Sequence, residues 1–180
     1  MPTEPPDYRE RIELDGTPVT IRSMRPSDRD IEDRFVRDLS PDSRYLRFHS
    51  ALKQLTPAML ERFTNPDYPS EMALIATIAD GDAERQIGVA RYVCAPGSDR
   101  AEVAVAVADD WQGKGVGTRL LRRLRDIAGE NGVRHFEATV LPQNRRMLAL
   151  ARELGFTRLT GLPDARTVVL GKDVEDADGE

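Results

Sequence analysis

From Glu102 to Thr118 the chain reads Glu-Val-Ala-Val-Ala-Val-Ala-Asp-Asp-Trp-Gln-Gly-Lys-Gly-Val-Gly-Thr. An alternating strand pattern runs into a glycine-rich turn, and the turn opens an amphipathic helical pattern. This is the physics of an anion site. The first N–H groups of a helix have no partner within it, and the aligned peptide dipoles leave partial positive charge there. Glycines let the backbone approach a phosphate without Cβ atoms in the way. The segment Gln112, Gly113, Lys114, Gly115, Val116, Gly117 and Thr118 is therefore expected to cradle a phosphate or pyrophosphate. It is not a Walker A loop, because Lys114 precedes Gly115 and no Ser or Thr follows the lysine. Nor is it a dinucleotide fingerprint, which needs Gly-x-Gly-x-x-Gly after the first strand of a parallel unit. Here Gly117 falls one position too early, and an antiparallel hairpin pattern precedes the loop.

Glu102 heads the same strand. Regular alternation groups it with Ala104 and Ala106, and sets Val103, Val105 and Val107 on the other face. A carboxylate beside small residues leaves room for a substrate, and desolvation there would raise its pKa toward a general base's working range. The bland alternative is an exposed strand glutamate, and the residues alone leave both open. Other chemically able side chains read as structural. Cys94 fits a small buried hydrophobe better than an acyl carrier. His49 and His135 stand apart, with no metal-ligand spacing, so no metal site is expected. Asp109-Asp110 shape the turn. Arg119, Arg122, Arg123 and Arg125 form a solvated face, although Lys114, Arg119, Arg145 and Arg146 are placed to meet phosphates.

The elements that must hold these residues are legible in outline. Arg11–Arg22 alternates on both sides of Asp15-Gly16, a hairpin signature. Pro26-Ser27-Asp28 opens a helix through Leu39. Ser40-Pro41 and Thr56-Pro57 each read as an N-cap followed by proline at the first helical position. Met72–Ala79 and Gln86–Cys94 form a hairpin around Asp80-Gly81-Asp82, and Ala101–Ala108 is a further strand. Val116–Ala128 is a helix ended by Asn131-Gly132. Arg134–Leu141 is a strand and Gln143–Leu154 a helix stopped by Gly155. Phe156–Leu159 and Arg166–Leu170 are closing strands. The sum is an α+β or mixed α/β arrangement.

The 180 residues carry 26 Lys+Arg against 31 Asp+Glu, a net charge of −5, with 39% apolar and 32% charged residues. That fits one domain able to bury a core without a metal or disulfide. The single cysteine excludes an internal disulfide, and no apolar run approaches the ~20 residues of a membrane span. The acidic balance makes nucleic acid a poor partner. The N-terminus lacks the pattern of a signal peptide, so a cytoplasmic location is expected. Residues 1–8 read as a flexible lead, 9–172 as one domain and 173–180 as a solvated acidic tail.

Gln112-x-x-Gly115-x-Gly117 resembles the Gln/Arg-x-x-Gly-x-Gly/Ala signature of the GNAT superfamily of acyl-CoA-dependent N-acyltransferases. Ala101-Glu102-Val103, Leu141-Pro142-Gln143-Asn144 and Leu154-Gly155-Phe156 are similar to other parts of its pattern. Leu14-Asp15-Gly16-Thr17, Ile21–Pro26, Leu39–Phe48 and Glu71–Leu74 resemble the catalytic domain of bacterial protein-lysine acetyltransferases. The resemblance covers roughly residues 10–171. It implies the GNAT fold, a twisted, mostly antiparallel sheet flanked by helices, with the cofactor cleft between splayed central strands and a bulge that would break the Glu102 strand's alternation. It implies acetyl-CoA as cosubstrate, its pyrophosphate on residues 112–118 and its pantetheine arm on the backbone of Val105, Ala106 and Val107. It implies Glu102 as general base, Asn144 as a cofactor contact alongside its reading as an N-cap, and an amine acceptor, foremost a protein lysine, with residues 40–48 and Glu71 in the acceptor wall. A small-molecule amine acceptor and a CoA-binding sensor without turnover stand as alternatives, and the protein is expected to be a monomer or homodimer. One departure is Ala151, where many members have a tyrosine that protonates the leaving thiolate. Tyr45, Tyr68 and Tyr92 remain as substitutes.

Overall fold

The computed structural model describes residues 3–159 and 166–174. An eight-stranded sheet runs in the order β1-β2-β3-β4-β5-β6-β8-β7. The strands are β1 (Arg9–Leu14), β2 (Thr17–Ser23), β3 (Glu71–Asp80), β4 (Ala83–Cys94), β5 (Arg100–Val107), β6 (His135–Val140), β7 (Thr157–Arg158) and β8 (Val168–Asp173). The helices are α1 (Arg29–Asp38), α2 (Pro41–Phe48), α3 (Pro57–Thr64), α4 (Val116–Glu130) and α5 (Arg145–Glu153). Every pairing is antiparallel except β5 with β6.

The helix starts follow the cap grammar. Ser40 Oγ accepts a hydrogen bond from Ser43 N at 3.1 Å, and Thr56 Oγ1 accepts one from Met59 N at 3.2 Å. Each cap satisfies an N–H that the helix cannot. The stretch opened by Pro26 is a 3₁₀ turn over Pro26–Asp28 that continues into α1. Asp28 there takes a two-pronged ion pair from the buried Arg22, at 2.7 and 2.8 Å.

The long, amphipathic α4 buries Leu120, Leu121, Leu124, Ile127 and Ala128. It lies against β3, β4 and β5. Gly88 of β4 lets it approach closely: a Cβ there would meet Val116 Cγ1 at 2.8 Å. Val103, Val105 and Val107 pair with Tyr92, Ala90 and Gly88, so they share the α4 face. Glu102, Ala104 and Ala106 pair with Val93, Arg91 and Val89 on the other face, toward α1 and α2. The β4–β5 register is unbroken. The bulge expected in this region lies instead between β3 and β4, at Ala76/Thr77.

Two boundaries differ from expectation. Within the lead, Thr3 bridges to Tyr68 and Tyr8 N donates to Ser23 Oγ at 3.0 Å. Arg123 stands over the Tyr8 ring and pairs with Glu10 at 3.1 Å, so this member of the arginine face ties the first strand to α4. At the other end β8 runs to Asp173, which sits against His135, and Val174 is buried. The sheet needs these residues as the partner of β6. The rest of the acidic tail, 175–180, lies outside the described residues, as does part of the connection before Arg166.

Candidate active site

β5 and β6 are held together only from Arg100 to Glu102, opposite His135 to Glu137. Beyond Glu102 the two strands diverge. The β6-side edge of β5 from Val103 to Val107 therefore has no strand beside it. A strand edge with unpaired N–H and C=O groups is a template for an extended, amide-bearing chain. The edge from Glu102 to Val107 is about 16 Å long at ~3.3 Å per residue.

This edge ends at the glycine-rich turn. Gly113 has φ 77° and Gly115, the residue before α4, has φ 92°. A side chain is strained at both, and a Cβ on either would point into open space. Among the described residues, no backbone N–H from Gly113 to Thr118 has a hydrogen-bond partner; the first that does is Arg119 N, bonding Gly115 O at 3.1 Å. A row of free amides at a helix start, next to a sheet edge, is the arrangement an anion with an extended arm requires.

Gly117 does something different from Gly115. It is buried, and a Cβ there would stand 3.1 Å from Leu150 and 3.7 Å from Val107. It lets α4 sit against β5 and α5, so it shapes the site by packing. Gln112 fastens the turn. Its Nε2 donates to Val107 O at 3.1 Å and Ser43 Oγ at 3.3 Å, while Oε1 accepts from Arg146 at 2.7 Å. The tip of β5, α2 and α5 thus meet on one amide. Asp109 accepts from Ser40 N and Ser43 Oγ, both at 3.2 Å, and Asp110 makes a two-pronged pair with Arg85. These aspartates clamp neighbouring elements as well as shaping the turn. Lys114 is drawn to Asp15 at 3.0 Å and lies over Trp111.

Glu102 faces the α1–α2 side with Ala104 and Ala106, as alternation required, but it is exposed. The burial expected around it is absent, because the flanking alanines are too short to cover a carboxylate. Asn144 Oδ1 accepts from Met147 N at 3.2 Å, so its oxygen is engaged as the N-cap of α5. Ala151 is fully buried, which leaves no place for a hydroxyl there. Tyr68 and Tyr92 are tied to Asn131, and Tyr92 also to Pro69 O. Burial pushes the Tyr92 phenol up to about 12. Tyr45 on α2 alone of the three stands open, at 44% exposure. Cys94 ends β4, its thiol pushed up by burial.

One cluster escaped the reading of the sequence. Glu32 of α1, 2% exposed, takes Gln86 Nε2 at 2.5 Å and faces Arg91 at 3.7 Å. Burial holds its carboxyl above the usual range in spite of Arg91. Arg91 lies over the Phe63 ring, and Phe63 stacks on Phe48. Arg47 stands over Phe48 and makes no hydrogen bond among the described residues; burial, then the nearby Arg91 charge, pushes it down to about 10, with Glu32 and then Glu102 acting the other way. The signal was present: Glu32, Phe35, Val36 and Leu39 share one helical stripe, and Arg91 shares one strand face with Val89 and Val93. A charge on an apolar stripe marks a buried partner. Among the described residues no His/Cys/Asp/Glu group is arranged to hold a metal ion, and no helix is long and apolar enough to cross a membrane.

Comparison with known proteins then decides the family. The model of the acetyltransferase (GNAT) family matches residues 34–156. The chain belongs to the GNAT family. It is 36% identical to the acetyltransferase PA5475 of Pseudomonas aeruginosa over 86% of this chain and 83% of that one. It is 35% identical to the acetyltransferase Pat of Mycolicibacterium smegmatis over 66% of this chain but 35% of that longer protein. Among solved structures, the GNAT domain of S. lividans PAT superposes with a TM-score of 0.86 at 30% identity, covering 95% of this chain and 99% of that one. A cAMP-binding acyltransferase from Mycobacterium smegmatis gives 0.64 at 27% identity over 93% of this chain and 48% of its own. As a GNAT enzyme the protein is an N-acetyltransferase with acetyl-CoA as cosubstrate.

Proposed function

We propose that this GNAT domain acetylates a lysine side chain of a protein, with Glu102 receiving the amine's proton. One juxtaposition supports the reading. The free edge of β5 leads from the unpartnered amides of residues 113–118 to Glu102, where the sheet closes again. The pyrophosphate of acetyl-CoA sits on the Gln112–Thr118 turn, and its pantetheine amides extend the sheet along Val105, Ala106 and Val107. That places the thioester near Glu102. Asn144 supplies its remaining amide N–H groups toward the same cleft.

A lysine amine has a pKa of about 10.4, so nearly all of it is protonated at pH 7 and cannot attack. Glu102 takes one proton of the ammonium, directly or through one water, the amine nitrogen bonds to the thioester carbonyl carbon, the tetrahedral adduct gives up a second N–H proton to solvent, and the C–S bond breaks. With Ala151 in place of a hydroxyl, the thiolate is released to solvent. Because Glu102 is exposed, the acceptor itself supplies the desolvation that makes the carboxylate a stronger base. A protein surface docked over α2 does this better than a small free amine.

The test is Glu102→Gln. Its kcat is expected to fall about 10²–10⁴-fold at pH 7 with CoA affinity unchanged, and to climb about tenfold per pH unit toward the amine's own pKa. A variant that follows the wild-type pH profile, or one that loses CoA binding, overturns the base assignment. Mass spectrometry of lysates given labelled acetyl-CoA, beside a panel of small amines, tests the acceptor. Transfer to small amines alone refutes the protein reading, and CoA binding without turnover on any amine makes the domain a sensor.

A further inference from the structure

Arg47 lies in the last turn of α2. Its guanidinium carbon is 4.8 Å from the centre of the Phe48 ring, Phe48 stacks on Phe63, and Arg91 stands 4.3 Å from the centre of the Phe63 ring. The rings hold both guanidiniums in place but offer no oxygen to their N–H groups. Arg91 finds oxygens elsewhere: it faces Glu32 at 3.7 Å and donates to Phe63 O at 3.3 Å. Arg47 is half-buried, yet among the described residues it makes no hydrogen bond and no ion pair. The side-chain atoms that burial leaves orphaned are Arg25 Nε, Gln86 Oε1 and Arg91 Nε. The Arg47 nitrogens are not among them, so they stay open to a group arriving from outside.

The place of Arg47 in the site follows from α2, which packs against β5. Ser43 Oγ meets Gln112 beyond the tip of β5 at Val107. Arg47 comes four residues later, one turn along the same helix face. Arg91, the cross-strand neighbour of Ala104, and Glu102 both act on its charge. Arg47 therefore borders the face of Ala104 and Ala106 that Glu102 heads, where the proposed acceptor approaches. Glu102 likewise makes no ion pair among the described residues. The face thus carries one unmatched cation and one unmatched anion. An ammonium group answers Glu102, and a carboxylate on the same molecule answers Arg47. We propose that Arg47 selects the acceptor by binding a carboxylate close to the reacting amine, through its guanidinium fork. The inference rests on the reading of Glu102 as the group that receives the amine's proton. In a protein acceptor the carboxylate belongs to an Asp or Glu on the lysine's own face, which in an extended segment is two residues away.

The test compares acceptors that differ only in this charge, with acetyl-CoA as donor. One pair is an end-blocked peptide with a central lysine and either Asp or Asn two residues to each side. The other pair is 6-aminohexanoate and 6-aminohexanamide. Wild type should favour the charged member of at least one pair by about fivefold or more in kcat/KM, through KM. Arg47→Gln should bring that ratio within about twofold, its CoA affinity showing that it is folded. Arg47→Lys, which keeps the charge without the fork, should fall between the two, so either variant carries the test. Wild-type ratios within about twofold in both pairs overturn the proposal, as does a preference that survives Arg47→Gln. Faster use of succinyl-CoA than of acetyl-CoA, lost in Arg47→Gln, gives the carboxylate to the donor and overturns it too. A preference in the small pair with no peptide acetylated leaves the carboxylate site standing and removes the lysine reading. Acetylated peptides with no preference in either pair do the reverse, and turnover on no amine removes both.

Discussion

Gly115 and Gly117 stand two residues apart in the same signature, yet their surroundings predict opposite defects. Gly115 has φ 92° with open space where a Cβ would go. In Gly115→Ala the free turn relaxes out of the left-handed region, which costs an L-residue about 1–2 kcal/mol. Binding must restore the turn, so CoA affinity should fall by about 5–30-fold. The core is untouched, so the melting temperature should scarcely move. Gly117 is not at positive φ, and its Cβ would stand 3.1 Å from Leu150 Cδ2, with Val105 and Val107 methyls close behind. Alanine there needs only a small shift of Leu150. Valine must force α4, α5 and β5 apart. Overpacking of this kind costs about 1–3 kcal/mol, or about 2–12 °C in Tm for a domain of this size. Calorimetric titration with CoA and thermal melts on both variants provide the assay. If Gly115→Ala binds CoA within about twofold of wild type, the amide cradle is misassigned. If Gly117→Val melts like wild type, the packing argument fails.

Asn144→Ala should lower Tm by about 2–4 °C, because losing a helix cap costs about 1 kcal/mol; a raised KM for acetyl-CoA with an unchanged Tm would show the residue serving the cosubstrate and not α5. The Tyr92 phenol is pushed up to about 12 by burial. The folded state therefore holds its proton longer than the unfolded chain, and the resulting stability is lost as pH rises from about 10 to about 12. Tyr92→Phe should flatten alkaline unfolding over that window, and an unchanged slope would contradict the burial. Glu32 is likewise pushed up by burial. Its contribution is present below the ordinary carboxylate range and fades as pH climbs through its raised value. Melts from pH 5 to 8 should show the difference between wild type and Glu32→Gln moving in the wild type's favour on acidification; a difference that moves the other way refutes it.

The strands and helices were legible because their signals are local. Asp15-Gly16, the Ser40-Pro41 and Thr56-Pro57 caps and the α4 stripe each specify an element within a few residues. The turn at Gln112–Thr118 was legible for the same reason, since free helix-start amides and glycine conformations follow from adjacent positions. What stayed hidden depends on partners far along the chain. The residues around Glu102 left a buried base and an exposed strand glutamate both open, and only the packing of α1 and α2 against β4 and β5 decides for exposure. Gln112 gathers Val107, Ser43 and Arg146 only after α2 and α5 have docked. The buried Glu32–Gln86–Arg91 group draws on α1 and β4, and Asp173 joins β8 because β6 needs a partner across from His135.

β5 explains why so short a segment carries so much of the site. One face, through Val103, Val105 and Val107, seats α4 and so fixes where the helix start and its amides lie. The other face, through Glu102, Ala104 and Ala106, looks toward α1 and α2, the side from which the proposed acceptor approaches. The edge between the faces is free because β6 leaves it after Glu102. A strand presents two faces and one edge independently, since side chains alternate while hydrogen-bonding groups lie in the sheet plane. Donor and acceptor can therefore approach the same few residues from different directions without competing for space. A substitution on the valine face should accordingly disturb cosubstrate binding through α4, whereas one on the glutamate face should disturb the acceptor's use and not CoA binding. Ala104→Val, which thickens the glutamate face beside Arg91, should raise the acceptor's KM while leaving CoA affinity as it was; a loss of CoA affinity instead would mean the faces are not independent.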